Sequence, residues 1–256
     1  MNFPTPWTLS ADELSEASQL LSTAGERVAV IIPAKDEATT IGPVVDAVLA
    51  SGDLVGELVV VNDHSLDDTA TVARRHGATV IDLEHVTGKG AAMAFGVRHT
   101  TAPIVVFLDG DVVNTQPHFV PSLVAPLMAR PEIALVKAFY IRPLHDMPSG
   151  GGRVNELTAR PVLSLLYPGL GEIRQPLAGE TAIRRHVLDR ITLADGYGVE
   201  IALLLDVAQT CGVQSLAQVD MGIRRHRNRP LEELRPMATE ILRVALERYG
   251  VTPPAQ

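Results

Sequence analysis

The sequence predicts an α/β fold in which buried parallel strands alternate with helices. Four apolar runs rich in β-branched residues are too short for helices and apolar enough for burial on both faces: Val28–Ile32, Leu58–Val61, Thr79–Ile81 and Ile104–Leu108. Helix-period stretches separate these runs, and polar residues follow each of them. This order is typical of a doubly wound, Rossmann-like sheet, which binds ligands at the carboxyl ends of its strands.

Helices are expected at Thr40–Ala50, Asp67–His76 and Gly90–Arg98, the second with Ser65 as its N-cap. The rhythm is less regular beyond Leu108, where a flexible loop is expected at Asp146–Gly152. The other elements expected there are helices at His118–Met128, Val154–Leu166, Glu200–Gln209 and Leu231–Arg248 and strands at Ala134–Phe139 and Ser215–Val219.

The length and composition favour one domain. The chain has 256 residues, of which 46% are hydrophobic, and no stretch has the composition of a linker. We expect a helical segment over residues 1–26, where Leu14, Ala17, Leu20 and Leu21 recur at helical spacing. A single domain is expected over residues 27–250, with a nucleotide-binding part at about 27–112 and an acceptor and metal part at about 113–250. Residues 252–256 resemble a loose tail.

The charge balance and cysteine content exclude several classes of protein. With 22 basic and 30 acidic residues, the formal net charge is −8, so no overall field attracts nucleic acid or anionic lipid. The single cysteine, Cys211, cannot form an internal disulfide, and the N-terminus lacks the pattern of a signal peptide. No apolar run approaches the roughly 18 residues of a membrane span. We therefore expect a cytoplasmic protein.

Polar motifs follow the predicted strands. Asp109-Gly110-Asp111 comes directly after a buried strand, where two carboxylates can hold a divalent cation and a ribose hydroxyl, or merely form a turn. Pro33–Glu37, Asn62–Thr69 and Gly88-Lys89-Gly90 end the other strands or open the following helix, and Lys89 can neutralise phosphate there. Each motif alone is weak, but four at successive strand ends indicate a nucleotide crevice.

The second half carries a basic run, Arg224–Arg229, with His226 inside it. Such a run is usually a solvated face, but in a chain of net charge −8 it also fits a local site for phosphate or carboxylate. Further motifs are Gly150–Val154, Gln175–Glu180 and Gly196–Ile201.

The order of these motifs resembles the glucosyl-3-phosphoglycerate synthase family, retaining glycosyltransferases of the GT-A fold. The segments that carry the resemblance are Val30–Glu37, Val61–Thr69, Gly88–Gly90, Phe107–Asp111, Leu135–Tyr140, Gly150–Val154, Gln175–Glu180, Gly196–Ile201 and Arg227–Leu231. The resemblance runs from about Val28 to Tyr249.

This resemblance implies transfer of glucose from UDP-glucose to the 2-hydroxyl of 3-phosphoglycerate with Mg²⁺, or with Mn²⁺ in its place. It implies that Asp111 and His226 ligate the metal and that Glu200 holds the sugar hydroxyls. Catalytic roles would then fall to Asp111, Glu200 and His226. The donor would contact Pro33, Ala34, Glu37, Ser65, Lys89 and Asp109, and the acceptor would contact Gly152, Arg153, Asn155 and Asn228. A homodimer is also implied.

Alternatives stay open at this point. A related branch uses GDP-mannose, and Asn155 stands where the family commonly has threonine, which leaves room for another acidic acceptor. Lys35-Asp36 replaces an apolar residue and asparagine, and the chain stops soon after the Leu231–Arg248 helix, where relatives commonly continue. A nucleotidyltransferase usually carries a glycine-rich loop after its first strand. The segment in that place here, Pro33–Glu37, has no glycine, so this class is disfavoured. A non-catalytic nucleotide-sugar binding protein is the rival of another class. No Asp or Glu is obviously placed as a nucleophile, which favours front-face attack.

Overall fold

A computed structural model gives the fold of residues 7–8, 27–144, 147–150, 152–225 and 230–251. The strands are β1 (Trp7–Thr8), β2 (Val28–Ala34), β3 (Val55–Asn62), β4 (Thr79–Asp82), β5 (Ile104–Phe107), β6 (Leu135–Ile141), β7 (Pro143–Leu144), β8 (Met147–Gly150), β9 (Thr181–Arg184) and β10 (Leu216–Ile223). The helices are α1 (Ile41–Leu49), α2 (Thr69–Arg75), α3 (Lys89–Arg98), α4 (Phe119–Ala129), α5 (Arg160–Leu166), α6 (Arg185–Leu188), α7 (Val199–Cys211) and α8 (Leu231–Arg248). A π-helical turn, Asn155–Ala159, leads into α5.

The described part of the chain forms one mixed sheet of eight strands in the order β1-β10-β6-β9-β5-β2-β3-β4, with β7 and β8 as a separate pair. Strand β9 runs antiparallel to β5 and β6, and the remaining pairs in the large sheet are parallel. The carboxyl ends of β2, β3 and β5 therefore lie at one edge of the sheet, where ligands bind in open α/β folds.

Alternation along the strands divides the core between the two faces of the sheet. Val30 and Ile32 pack with α1 and α4 on one face, while Ile31 packs with α3, α7 and α8 on the other. Successive strand residues point to opposite faces, so burial on both faces explains why β2 is apolar without interruption. None of the described helices is both long and apolar enough to span a bilayer.

The predicted strands and helices lie within a few residues of the observed ones, and α8 has the predicted bounds. The N-cap prediction is wrong. Asp68, not Ser65, occupies the N-cap position of α2, and the Ser65 hydroxyl instead accepts a hydrogen bond from the Asp36 backbone at 3.1 Å. Ser65 thus joins two loops rather than starting a helix.

Two local features differ from the sequence expectation. Four residues of the expected loop at Asp146–Gly152 form β8, which pairs antiparallel with β7. Strand β9 was not predicted because it has only four residues and ends in arginine. The Arg184 guanidinium finds hydrogen-bond acceptors in the fold, since it donates to the carbonyls of Leu127 and Ile133. The predicted N-terminal helical stretch and the tail at residues 252–256 lie outside the described residues, and Trp7–Thr8 is a strand.

Candidate functional site

A cavity of about 500 Å³ opens at the carboxyl ends of β2 and β5. It brings together residues that the sequence analysis assigned to the donor, the metal and the acceptor. Ser65 is not among the residues that line the cavity, and His226 and Asn228 lie outside the described residues. The predicted residues that do line it are Pro33, Ala34, Glu37, Lys89, Asp109, Asp111, Gly152, Arg153, Asn155 and Glu200.

Lys89 bridges two acidic side chains on the cavity floor. Its Nζ lies 2.6 Å from Asp109 Oδ1 and 2.5 Å from Glu200 Oε1. Burial alone would lower the pKa of Lys89, but the two carboxylates outweigh it and hold the pKa above its ordinary value. Lys89 therefore stays charged, and its first role is to fix Asp109 and Glu200 relative to each other.

The glycines around Lys89 serve packing within the protein. A Cβ at Gly90 would overlap the carbonyl of Ala194, and Gly88 has φ of 112°, in the region that favours glycine. In the structure, Gly90 lets the first turn of α3 approach the chain that leads into α7, which brings Lys89 to Glu200.

Hydrogen bonds join the loops that follow β2 and β3. The Leu66 backbone N–H donates to Asp36 Oδ1 at 2.7 Å, and the Glu37 N–H donates to Thr69 Oγ1 at 2.7 Å. Buried Asp63 accepts from Thr87 Oγ1 at 2.7 Å and from the Gly88 N–H at 2.9 Å. Side chains from one strand end therefore fix the backbone of the next, which shapes this part of the cavity.

Asp111 is the candidate metal ligand on the cavity wall. Burial raises the pKa of this carboxyl, and the charge of Asp109 raises it further. Within the part of the chain that the structure describes, Asp111 forms no hydrogen bond or ion pair, whereas Asp109 is held by Lys89. A carboxylate crowded by another suits a divalent cation, because the cation relieves the repulsion and prefers oxygen ligands. The carboxylate oxygens of Asp111 therefore fit Mg²⁺ or Mn²⁺ as ligands.

The described residues alone do not provide a complete set of metal ligands around Asp111. They contain no group of three or more His, Cys, Asp or Glu side chains that could hold a metal ion. Asn114 ties the chain before His226 to the loop after Asp111: its Nδ2 donates to the Ile223 carbonyl at 2.7 Å, and its Oδ1 accepts from the Arg225 N–H at 2.9 Å. The position of residue 225 is thus fixed relative to Asp111.

The first of the predicted acceptor residues along the chain is Gly152, whose φ is 73°. Arg153 and Asn155 follow it and also line the cavity. The Asn155 Nδ2 already donates to Glu156 Oε1 at 3.0 Å and to the Arg174 carbonyl at 3.2 Å. Asn155 therefore supports the wall here, and its amide group is not a simple replacement for a hydroxyl donor.

Sequence analysis missed Arg142, which lines the cavity directly after β6. Burial lowers the pKa of this guanidinium, and Tyr140, Asp111 and Asp109 act against the shift. The signal was present in the sequence, since a charged residue follows an apolar strand here as it does at Asp109. Arg142 adds a second cation beside Arg153.

The loop Gln175–Glu180 forms another wall, through Gln175 and Leu177. Gly179 lies so close to Asp109 that a Cβ on it would overlap the carboxylate. Glu180 is fully buried and forms an ion pair with Arg224, which is buried at the end of β10. The Arg224 guanidinium also faces the rings of Phe119 and Tyr140, with its carbon 5.7 Å and 5.6 Å from their centres.

Comparison with known proteins identifies the family of the chain. Residues 29–147 match the Glycosyl transferase family 2. A glucosyl-3-phosphoglycerate synthase of Mycobacterium tuberculosis (strain ATCC 25618 / H37Rv) is 42% identical over 261 residues, which cover 96% of this chain and 78% of that protein. The chain belongs to the glucosyl-3-phosphoglycerate synthase family. A synthase of this family from Petrotoga mobilis is 37% identical, over 93% of this chain and 79% of that protein.

Solved structures of the family share the fold. A crystal structure of the M. tuberculosis synthase in complex with Mn²⁺, UDP-glucose and phosphoglyceric acid matches with a TM-score of 0.88 and 40% identity, over 100% of this chain and 90% of that chain. A complex of the same synthase with Mn²⁺, UDP and glucosyl-3-phosphoglycerate matches with a TM-score of 0.87 and 40% identity, over 99% and 90% of the two chains. The predicted GT-A fold and the family resemblance are confirmed.

Proposed function

We propose that this protein transfers the glucosyl group of UDP-glucose to the 2-hydroxyl of 3-phosphoglycerate, with retention at the anomeric carbon and with a divalent cation, Mg²⁺ in the cell. The observation that carries the proposal is that one cavity is lined both by the strand-end residues Asp109 and Asp111 and by Arg142 and Arg153. A nucleotide diphosphate with its metal ion needs carboxylates at strand ends, and an acidic acceptor needs cationic side chains; the transfer requires both in one place.

The donor side would bind the nucleotide through Pro33, Ala34 and Glu37, with Ser65 holding their loop. Asp109 has the position of a ribose ligand, because it ends β5 at the edge where nucleotides bind and Lys89 fixes its orientation. Glu200, held by the same lysine, would accept hydrogen bonds from the sugar hydroxyls. Lys89 thus orients two groups that touch the donor.

Asp111 and His226 would hold the metal ion. When bound, a divalent cation supplies charge stabilisation to the departing diphosphate. The chain contributes the oxygen ligand and the orientation of that ligand, since the Asp109–Asp111 loop is tied through Asn114 to the end of β10.

Arg153 and Arg142 would bind the phosphate and carboxylate of the acceptor. A guanidinium pairs with either anion through two parallel hydrogen bonds, which orients the acceptor as well as attracting it. Gly152, Asn155 and Asn228 would complete this side, with Asn155 acting through the wall that it supports. The acceptor hydroxyl is then held toward the sugar while its anionic groups stay on the arginines.

The proposed transfer proceeds by front-face attack. The 2-hydroxyl oxygen bonds to the anomeric carbon on the side from which the phosphate oxygen leaves, and the hydroxyl proton passes to that departing oxygen. Neither nearby glutamate is available as a covalent nucleophile, because Glu180 is buried against Arg224 and Glu200 is paired with Lys89. A glycosyl-enzyme trapped at Glu180 or Glu200 would contradict this step.

The experiment that tests the function is a matrix of donors and acceptors. The protein is incubated with UDP-glucose or GDP-mannose and with 3-phosphoglycerate, 2-phosphoglycerate or glycerate, with Mg²⁺, Mn²⁺ or EDTA. We expect the fastest transfer with UDP-glucose and 3-phosphoglycerate, none in EDTA, and an α-linked product by NMR. Faster transfer from GDP-mannose would favour the mannosyl alternative, and binding of donor without transfer or hydrolysis would favour a non-catalytic protein.

The proposed role of His226 has its own test. His226→Ala should weaken Mn²⁺ binding in the presence of UDP, as measured by calorimetry, because a ligand is removed. His99→Ala is the matched control, since His99 bonds to the Phe95 carbonyl at the far end of α3. Unchanged Mn²⁺ affinity in His226→Ala would remove His226 from the ligand set. The homodimer stays a prediction, which sedimentation equilibrium checks.

A further inference from the structure

A lysine that the proposed reaction does not use lies beneath the site. Lys137 is on β6, and only 1% of its surface is exposed. Its Nζ donates to the Ala178 carbonyl at 2.8 Å. Burial of an ammonium group is costly, and an apolar side chain of similar length would fill the same space without that cost. The presence of a charge here therefore calls for a role beyond packing.

The carbonyl that Lys137 holds belongs to the loop Gln175–Glu180. Thr181 Oγ1 donates to the same oxygen at the longer distance of 3.3 Å. On one side of Ala178, Leu177 lines the cavity; on the other, Gly179 packs directly against the Asp109 carboxylate. A shift of the Ala178 carbonyl would therefore move a cavity wall and release the contact that confines Asp109.

Charged groups from three elements act on the Lys137 ammonium. Glu200 on α7 and Asp109 after β5 favour the charged form, and Lys89 on α3 opposes it. Burial is the largest influence and lowers the pKa of Lys137 to about 8. The group is thus charged at neutral pH and loses its proton under mildly alkaline conditions.

We propose that Lys137 is a positioning residue whose ammonium anchors the Ala178 carbonyl and thereby holds Gly179 and Leu177 in place around Asp109 and the donor. The inference rests on the proposed glucosyl transfer, because the donor site gives the anchored loop its function. Lys137 does not touch substrate; it acts through the loop and through its charge near Asp109 and Glu200.

Above about pH 8, turnover and the contribution of Lys137 to stability should change in opposite directions. Above about pH 8 the native protein has lost the Lys137 proton, while the unfolded chain keeps it until about 10.5. The unfolded state then binds more protons, so this residue's contribution to stability rises with pH. Turnover should fall over the same range, since the anchor loses its charge. If Lys137 had a structural role alone, its contribution to stability would still rise with pH, but turnover would not change over this range.

The test uses Lys137→Met, which keeps length and removes the charge, and Lys137→Gln, which can still donate a hydrogen bond but cannot titrate. We expect kcat at pH 7 to fall about tenfold or more in Lys137→Met and less in Lys137→Gln. The wild type should show a decrease in kcat above about pH 8, and both variants should lose it. Both should also lose the rise in melting temperature that Lys137 contributes above that pH.

A matched control is Thr100→Val, which removes a buried hydroxyl that bonds to Arg185 at 2.8 Å, away from the cavity. It should change stability and leave the pH profile of kcat unchanged. Wild-type values of kcat and an unchanged alkaline limb in Lys137→Met would overturn the proposal; if that variant does not fold, the same result in Lys137→Gln overturns it.

A second readout separates this proposal from the function on which it rests. UDP binding in the presence of Mn²⁺, measured by calorimetry, should be weaker in both variants than in the wild type. If the wild type binds UDP but transfers no sugar, the proposed function fails, and the calorimetric comparison still decides the role of Lys137. Equal UDP affinity in wild type and variants counts against the anchor.

Discussion

The two halves of the chain position their side chains at the cavity by different means. In the first half, residues 27–112 place side chains at the ends of parallel strands, and hydrogen bonds such as that from the Leu66 N–H to Asp36 fix one loop by the next. In the second half, the described residues between 113 and 250 include ionised groups beneath the surface: Lys137, Glu180 and Arg224 are all almost fully buried. Topology orders the first half, and buried charge orders the second.

This difference determines how each half should respond to mutation. A buried charge is costly to leave without its partner, so the second half should be sensitive far from the substrate. Hydrogen bonds at exposed strand ends are each worth about 1 kcal/mol, so the first half should tolerate loss of any one of them unless the residue touches the ligand. Variants that separate turnover from stability can test this contrast.

The largest effect is expected at Asp111, where the two halves meet. Asp111→Asn keeps the size of the side chain and removes the charge that suits a divalent cation, so kcat should fall by about 1,000-fold with the fold intact. Steady-state kinetics and Mn²⁺ titration measure this. Asp82→Asn is the control, because Asp82 ends β4 and pairs with Arg74 at the surface. Full activity of the wild type in excess EDTA would contradict the prediction.

Gly179→Ala should have the next largest effect, because its methyl group would overlap the Asp109 carboxylate. We expect kcat/KM for UDP-glucose to fall by about 100-fold, since Asp109 or the loop must move. Gly171→Ala is the control, because its nearest atom, Ser164 Oγ, would be 3.3 Å from the added carbon. If both variants bind UDP with wild-type affinity, Gly179 does not confine Asp109.

Arg153→Ala should affect the acceptor side alone. Loss of the guanidinium should raise KM for 3-phosphoglycerate by about 10-fold to 30-fold and leave KM for UDP-glucose close to its wild-type value. Arg160→Ala is the control, because Arg160 pairs with Glu156 on the surface of the helix that follows. An equal increase in both KM values would place Arg153 outside the acceptor site.

The smallest effect is expected at Glu57, in the first half of the chain and away from the cavity. Its carboxylate accepts hydrogen bonds from the Thr101 and Ala102 N–H groups at 3.0 Å and 2.9 Å. Glu57→Ala should lower the free energy of unfolding by about 1 kcal/mol and leave the kinetic constants unchanged. Denaturant unfolding and initial rates check this, and a change in either KM would show that this strand end is coupled to the site.

The sequence predicted well which strand-end residues of the first half line the cavity, because the signals there are local. Periodicity located β2, β3 and β5, and the rule that ligands bind at strand ends selected Lys89, Asp109 and Asp111 without any contact information. The partners of these residues were not predictable in the same way. The ion pair between Lys89 and Glu200 joins residues 111 positions apart in the sequence, and tertiary packing such as that of Gly90 against Ala194 brings them together.

The second half of the chain was harder to predict for two physical reasons. Strand β9 is short and gains its stability from two neighbours that are distant in sequence, so it leaves little periodic signal. Lys137 and Glu180 were indistinguishable from exposed charges, because burial of an ionised group depends on partners such as the Ala178 carbonyl and Arg224. Ser65 was predicted to cap a helix, but in the structure its hydroxyl supports the Asp36 loop, because this contact lies 29 residues away in the sequence.

Strand β1 bears on how the protein behaves in concentrated solution. Trp7 and Thr8 pair with Ala217 and Gln218 along the outer edge of β10, and the Arg130 guanidinium covers the Trp7 ring at 4.1 Å. Those two residues occupy backbone groups that would otherwise be open to a strand of another molecule. Removal of residues 1–8 in an expression variant would uncover this edge, and self-association would then rise with protein concentration even if the catalytic cavity were unaffected.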